Sequence, residues 1–277
     1  MRRVVRTIVP QKLVEGAGVR VKRTIGGPDL DHHDPFLLLD HFDSQDPADY
    51  EAGFPMHPHR GIETVTYMLA GEVHHRDTLG NAGSIGAGDL QWMTSGRGIM
   101  HEEMPQPRAE GNRGFQLWVN LPARLKMSAP RYQDVRASNV PVVTHVDGAT
   151  VRVLAGAFEG TEGPISGIAA APTYLDVTLA SHAAIEAPVP AGHAAFVYLF
   201  EGECEVGGTL LHAPILGILG HGERVRAARV GNAGPARFLL VSAAPLGEPI
   251  ARYGPFVMNT REEIAQALED LRRGTFV

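Results

Sequence analysis

Apolar and polar residues alternate with a period of two along much of this chain. From Gly61 onward, Glu63, Val65, Tyr67 and Leu69 fall on one face of an extended segment, and Thr64, Thr66 and Met68 on the other. Turn signals follow at Gly71, Gly80-Asn81 and Ala87-Gly88-Asp89, and the run Gly114-Phe-Gln-Leu-Trp-Val-Asn120 stops at Pro122. Upstream, residues 1–25 read as one or two strands, 35–40 as a buried strand and 41–53 as a loop. Residues 123–145, with Pro130, Pro141 and mixed charge, read as a connection. Strand patterns resume at 151–155, 174–179, 194–200, 215–219 and 238–242. Strand after strand with no helix between predicts an all-β chain of antiparallel sandwiches or barrels. The tail departs from this. Thr260-Arg-Glu-Glu263 is a capping box, Ile264, Ala267, Leu268 and Leu271 recur at helical spacing, and Gly274 can end the run. An amphipathic helix over 260–273, packed on a sheet, is predicted.

The second half repeats the first. Tyr67-Met-Leu-Ala-Gly71-Glu-Val73 resembles Tyr198-Leu-Phe-Glu-Gly202-Glu-Cys204, 131 residues on, and Gly88-Asp89 matches Gly222-Glu223 nearly in step. A duplicated β domain follows, divided as 1–135 and 136–277.

Composition narrows the function classes. The 277 residues are 44% hydrophobic and 20% charged, and the 32 Gly and 20 Pro are spread through the chain, as many short strands with tight turns require. A net charge of -6 argues against direct nucleic-acid binding and against an anionic membrane surface. The basic N-terminal residues Arg2, Arg3, Arg6, Lys12, Arg20, Lys22 and Arg23 interleave with valines and read as a solvated strand face. Cys204 is the single cysteine, expected to be an inert strand residue. No apolar run approaches membrane-spanning length and no signal-peptide core precedes the first strand, so a cytoplasmic location is the default expectation.

The chemistry concentrates in two stretches. Phe54-Pro-Met-His57-Pro-His59-Arg-Gly-Ile-Glu63 carries two histidines at i and i+2, which share a strand face, with Glu63 on that face if no bulge intervenes. Gly98-Ile-Met-His101-Glu-Glu103 carries a second inward pair. Two such strands facing each other present imidazoles and a carboxylate to one point, a donor set for Fe(II), Mn, Co, Ni or Zn with coordination positions left open. Pro58 lacks an N–H and so places its strand at an edge or rim. Gly96 and Gly98 suggest close approach of another element. Phe54, Met56, Met100 and Trp118 are candidate cavity walls. His74 and His75 are adjacent, so they face opposite ways and read as ordinary strand residues. At the 131-residue offset His57, His59 and Glu63 correspond to Pro188, Pro190 and Ala194, so the second half cannot rebuild the site.

The stretches Phe36-Leu-Leu-Leu-Asp-His-Phe42, His57-Pro-His-Arg-Gly-Ile-Glu-Thr-Val-Thr-Tyr67, Gly88-Asp-Leu-Gln-Trp-Met-Thr94, Gly96-Arg-Gly-Ile-Met-His-Glu-Glu-Met-Pro105 and Phe115-Gln-Leu-Trp-Val-Asn-Leu-Pro122 resemble the pirin family, as does Gly254-Pro-Phe-Val-Met-Asn-Thr260 near the end. The resemblance implies two cupin domains (jelly-roll-type β-barrels), with metal only in the first. It implies His57, His59, His101 and Glu103 as ligands, and leaves Glu63 as a nearby polar group. The implied metal is Fe(2+), with Mn, Co, Ni, Zn and Cu as alternatives. The implied activity is that of a quercetin 2,3-dioxygenase, taking an aromatic or enolic small molecule and dioxygen, with Glu103 as the catalytic base. The alternative implied role is a non-enzymatic, iron-dependent redox sensor that binds a protein partner.

Overall fold

In the computed structural model, which describes residues 1–231 and 234–277, the alternating segments form antiparallel strands in two compact units. The first barrel comprises Gln11–Ala137 and Leu246–Val277. Its seven-stranded sheet runs Arg131–Val135, Leu90–Thr94, Ile62–Ala70, Asn112–Asn120, Phe36–Ser44, Val19–Ile25 and Gln11–Glu15. Its four-stranded sheet runs Phe54–His59, Ile99–Gln106, Glu72–Asp77 and Ala82–Gly86. Val19, Val21, Phe42 and Met68 of the larger sheet pack with Val73 and Ile85 of the smaller.

The second barrel comprises Met1–Pro10 and Ser138–Pro245. Its sheets have the same sizes and the same order of connections: Val4–Ile8, Ile215–Leu219, Ala194–Glu201, Ala236–Ala243, Thr173–Leu179, Ala149–Ala155 and Val142–Thr144 in one, and Ala184–Pro188, Arg224–Arg229, Glu203–Val206 and Thr209–His212 in the other. This is the expected duplication. Gly71 and Gly202, paired by the repeat, do the same job: both have positive φ (82° and 73°), and an added Cβ would lie 2.3 Å and 2.4 Å from a carbonyl oxygen of the neighbouring loop. The Gly88-Asp89 match to Gly222-Glu223 is not structural. The first dipeptide precedes Leu90–Thr94, whereas the second precedes Arg224–Arg229, the counterpart of Ile99–Gln106.

The units differ from a 1–135 and 136–277 division at both chain ends. Val4–Ile8 pairs with Ile215–Leu219 and takes the sheet edge that Arg131–Val135 takes beside Leu90–Thr94. Strand alternation does not say which sheet an edge strand joins. Arg2 is therefore buried rather than solvated, and donates to the carbonyls of Gly222, His193 and Pro190 at 2.8, 2.8 and 3.0 Å. Residues 123–145 likewise contain edge strands, Arg131–Val135 and Val142–Thr144. Their half-polar patterns and bordering prolines look like loop because edge strands tolerate both.

The second barrel is filled. Ile185, Ala187, Val225 and Ala227 point inward from the strands that correspond to the histidine-bearing ones, into a core with Val151, Val177, Val197, Phe238 and Leu240. Cys204 is buried in that core, and burial pushes its thiol up to about 12, which keeps it protonated and inert. The C-terminal helix Arg261–Arg273 forms as its sequence directs. Thr260 accepts from Glu263 N–H, Glu263 caps the Thr260 N–H in return, and Gly274 closes the end in the left-handed conformation. Among the described residues no helix is long and apolar enough to cross a membrane.

Candidate metal centre

Phe54–His59 and Ile99–Gln106 are neighbouring antiparallel strands, with His57 directly opposite His101 and His59 opposite Ile99. The spacing i, i+2 sends His57 and His59 inward, and the pairing delivers His101 between them. Ring centroids are 4.8 Å apart for His57–His59, 4.5 Å for His57–His101 and 5.1 Å for His59–His101. One nitrogen from each lies within 4.8 Å of the other two. His57 Nδ1 donates to the Pro55 carbonyl at 2.9 Å, which turns its Nε2 lone pair toward His59 Nε2, 3.0 Å away.

The electrostatics suit a cation. Burial lowers the pKa of His59 well below its ordinary value, and neighbouring His101 and His57 add to the effect; burial and His57 lower His101 to about 3. These imidazoles are neutral at physiological pH and have lone pairs to give. His101 is 1% exposed, and neither of its nitrogens has a protein partner. Two buried polar atoms without partners on one ring are costly unless a ligand accepts them. The donor set therefore fits a divalent metal.

Glu103 follows His101 after a bulge and lines the same cavity as His57 and His59. It is not among the tight cluster of three. Its Oε1 is 3.0 Å from Thr66 Oγ1, which in turn is 2.7 Å from the Gln116 side-chain amide. A hydroxyl has one proton. That proton is offered to two acceptors, Glu103 Oε1 and Gln116 Oε1, and Glu103 keeps its second oxygen for the cavity. Glu102 points the other way and pairs with Arg76 at 2.6 Å. Glu63 lies on the face of its strand opposite the cavity-lining Thr66, where Thr94 Oγ1 donates to it at 2.9 Å. Burial raises its pKa to about 7, against the Thr94 hydrogen bond. Alternation thus removes Glu63 from the centre.

The cavity measures about 630 Å³. Val19, Val21, Leu38, Phe42, Phe54 and Trp118 supply apolar wall. Met56 and Met100 do not line it: Met56 is exposed, and Met100 packs with Phe256 and Ile264. His75, read as an ordinary strand residue, is buried directly opposite Glu103 and accepts from Gln91 Nε2 at 3.0 Å; Asp77 stands opposite His101. Val73, His75 and Asp77 share the inward face, a pattern visible in the sequence, but only the strand register shows what they adjoin.

The C-terminal segment fixes the backbone of both histidine motifs. Arg60, next to His59, is ion-paired with Asp270 at 2.6 Å and donates to the Phe276 carbonyl at 3.2 Å. Gly61 approaches Val257 so closely that an added Cβ would lie 2.0 Å from its carbonyl oxygen, and at Gly98 the same atom would lie 2.3 Å from Phe276 O. Lys126 is buried and donates to Gly61 O, Asn120 Oδ1 and Val257 O at 3.0, 2.8 and 2.8 Å.

Comparison with known proteins places this arrangement. The Pirin family model matches residues 18–119, and the model of the pirin C-terminal cupin domain matches 174–277. A pirin-like protein of Caulobacter vibrioides is 47% identical over 277 residues, covering 100% of this chain and 99% of the relative. Human pirin is 42% identical over 279 residues, covering 98% and 92%. The crystal structure of a quercetin 2,3-dioxygenase from Acinetobacter baumannii matches with a TM-score of 0.89 at 35% identity, covering 100% of this chain and 98% of that one. With both barrels matched and whole-length relatives at this identity, the chain belongs to the pirin family and is a bicupin.

Proposed function

We propose that this protein is a metal-dependent dioxygenase of the quercetin 2,3-dioxygenase type, with Fe(II) held by His57, His59, His101 and Glu103. The observation that carries the reading is the convergence of three imidazoles, with the buried Glu103 carboxylate lining the same cavity of about 630 Å³, ample for a planar aromatic substrate. The name of the A. baumannii structure supports the substrate class. When bound, the metal would supply Lewis acidity that eases ionisation of an enolic hydroxyl, and a meeting point for substrate and dioxygen. The chain's own residues do the rest. Glu103 accepts the proton of the enolic hydroxyl at the carboxylate oxygen that Thr66 leaves unbound. Trp118 and Phe54 hold the ring system, and Val19, Val21 and Leu38 keep water from it. The overall reaction takes one flavonol and one dioxygen, inserts both oxygen atoms, and releases carbon monoxide. An open cavity over the histidines favours this role over a sealed redox sensor.

The test is oxygen uptake with quercetin by iron-loaded protein and by the His59→Ala variant, with metal content measured on both. Wild-type uptake should be stoichiometric with substrate consumed and fall at least about 100-fold in the variant. Equal uptake would remove the histidine centre from the chemistry.

A further inference from the structure

The cavity holds two arginines, and they are not equivalent. Arg23 is saturated: its fork binds Asp40 at 2.8 and 2.6 Å, and Nη1 pairs with Glu15 at 2.8 Å. Arg252 reaches the cavity from the strand Ala251–Tyr253. Its guanidinium lies over the Trp118 ring, 5.2 Å from the centroid. Nη1 donates to the Leu37 carbonyl at 3.2 Å and Nε makes a long contact of 3.5 Å to the Gly254 carbonyl. Among the described residues no carboxylate lies within ion-pair distance of it, and its remaining N–H groups meet no protein acceptor.

Trp118 links this cation to the histidines. Its ring stands edge-on to His59, with centroids 5.1 Å apart and planes at 86°. One indole therefore separates guanidinium from imidazole, a span of at most about 10 Å. Arg252 is exposed on its strand and lines the cavity, and its free donors select a charged planar oxygen group because the planar fork matches a carboxylate with charge-assisted hydrogen bonds. Asp40 and Glu15 line the same cavity, but Arg23 already engages both.

We propose that Arg252 is a specificity-determining residue that binds an anionic oxygen group, carboxylate or phenolate, at the end of the substrate remote from the histidines. The assignment rests on the flavonol-type reading of the cavity and narrows it to substrates carrying such a second group. It is tested by binding, not turnover. Metal-loaded wild type, Arg252→Gln and Arg252→Lys are titrated with 3-hydroxyflavone, its 4'-carboxylate and 2-naphthoate, following tryptophan fluorescence. Wild type should hold the flavonol carboxylate about tenfold tighter than the parent. Arg252→Gln should lose about tenfold on both carboxylates while changing parent affinity less than twofold, at unchanged melting temperature and metal content. Arg252→Lys, which keeps the charge without the fork, should fall between. Carboxylate affinity that is equal in wild type and both variants, loss shared equally by the neutral parent, or no binding of any carboxylate overturns the assignment. Arg252-dependent binding of naphthoate with neither flavonol bound would instead sink the flavonol reading and leave the anion site standing.

Discussion

At the scale of single residues, direction decides function. Glu63 and Glu103 are both buried carboxylates near the histidines, yet only one faces the cavity. The alternation that carries Thr66 inward carries Glu63 outward; counting by twos from His57 puts it on the histidine face instead, because the break at Arg60-Gly61 between the two strands resets the phase. The partners of Glu103 are not legible. Thr66 meets it from a strand 37 residues away in sequence, Gln116 is bonded to Thr66 in turn, and His75 faces it from another strand, so their roles depend on cross-strand register. Glu63 has its own thermodynamic consequence. Its folded pKa of about 7 lies above the ordinary 4.5, so folding takes up a proton between these values. Its stabilising contribution is complete below pH 4.5 and is lost as pH rises through 7. Glu63→Gln should flatten that decline and be more stable than wild type at pH 8 by up to about 3 kcal/mol. Urea unfolding of both proteins from pH 4 to 8 measures it; parallel curves would show that Glu63 does not carry the dependence.

Elements outside the barrel wall hold the site. Sequence patterning identifies the helix Arg261–Arg273 through its capping box and apolar spacing, and Gly98 as a place of close approach. It does not identify what approaches, because the partner, Phe276, lies 178 residues on. Lys126 was equally silent: a lone lysine in a mixed-charge stretch looks solvated. In the fold its ammonium joins Gly61 to Val257, and so ties the histidine motif to the C-terminal segment. Lys126→Met fills similar volume but removes the donor shared by three acceptors, of which Gly61 O keeps only the long 3.4 Å bond from Leu121 N–H. It should destabilise the protein by about 3 kcal/mol. Hydrogen exchange should rise at Ile62 and Val257 before it rises in the larger sheet. Uniform change across the unit, or none, would contradict a local clamp.

Across the whole molecule, one fold is used twice with different interiors. The first barrel keeps a polar centre and an open cavity; the second replaces the corresponding inward positions by Ile185, Ala187, Val225 and Ala227 and closes its core. The duplication and the loss of the second site could be read from the chain, because the histidines are simply missing there. The exchange of chain ends could not, since edge strands carry no label for their sheet. It makes a clear prediction. Removing residues 1–9 should expose the edge strand Ile215–Leu219 and lower the stability of the second barrel, while metal affinity at the histidines changes less than about twofold. Amide exchange with metal titration on the shortened chain checks both halves. A lost metal site would mean that Val4–Ile8 serves the first barrel after all.

The divided first barrel also imposes an order on synthesis. Its seven- and four-stranded sheets are complete once residue 137 has emerged from the ribosome, but Arg252, Gly254 and Pro255 of the cavity, and the Asp270 and Phe276 that grip Arg60, follow only after the entire second barrel. For more than a hundred residues of elongation the histidine strands stand without that brace. A finished cavity is thus a certificate of a finished chain: translation that stalls inside the second barrel leaves histidines but no complete pocket.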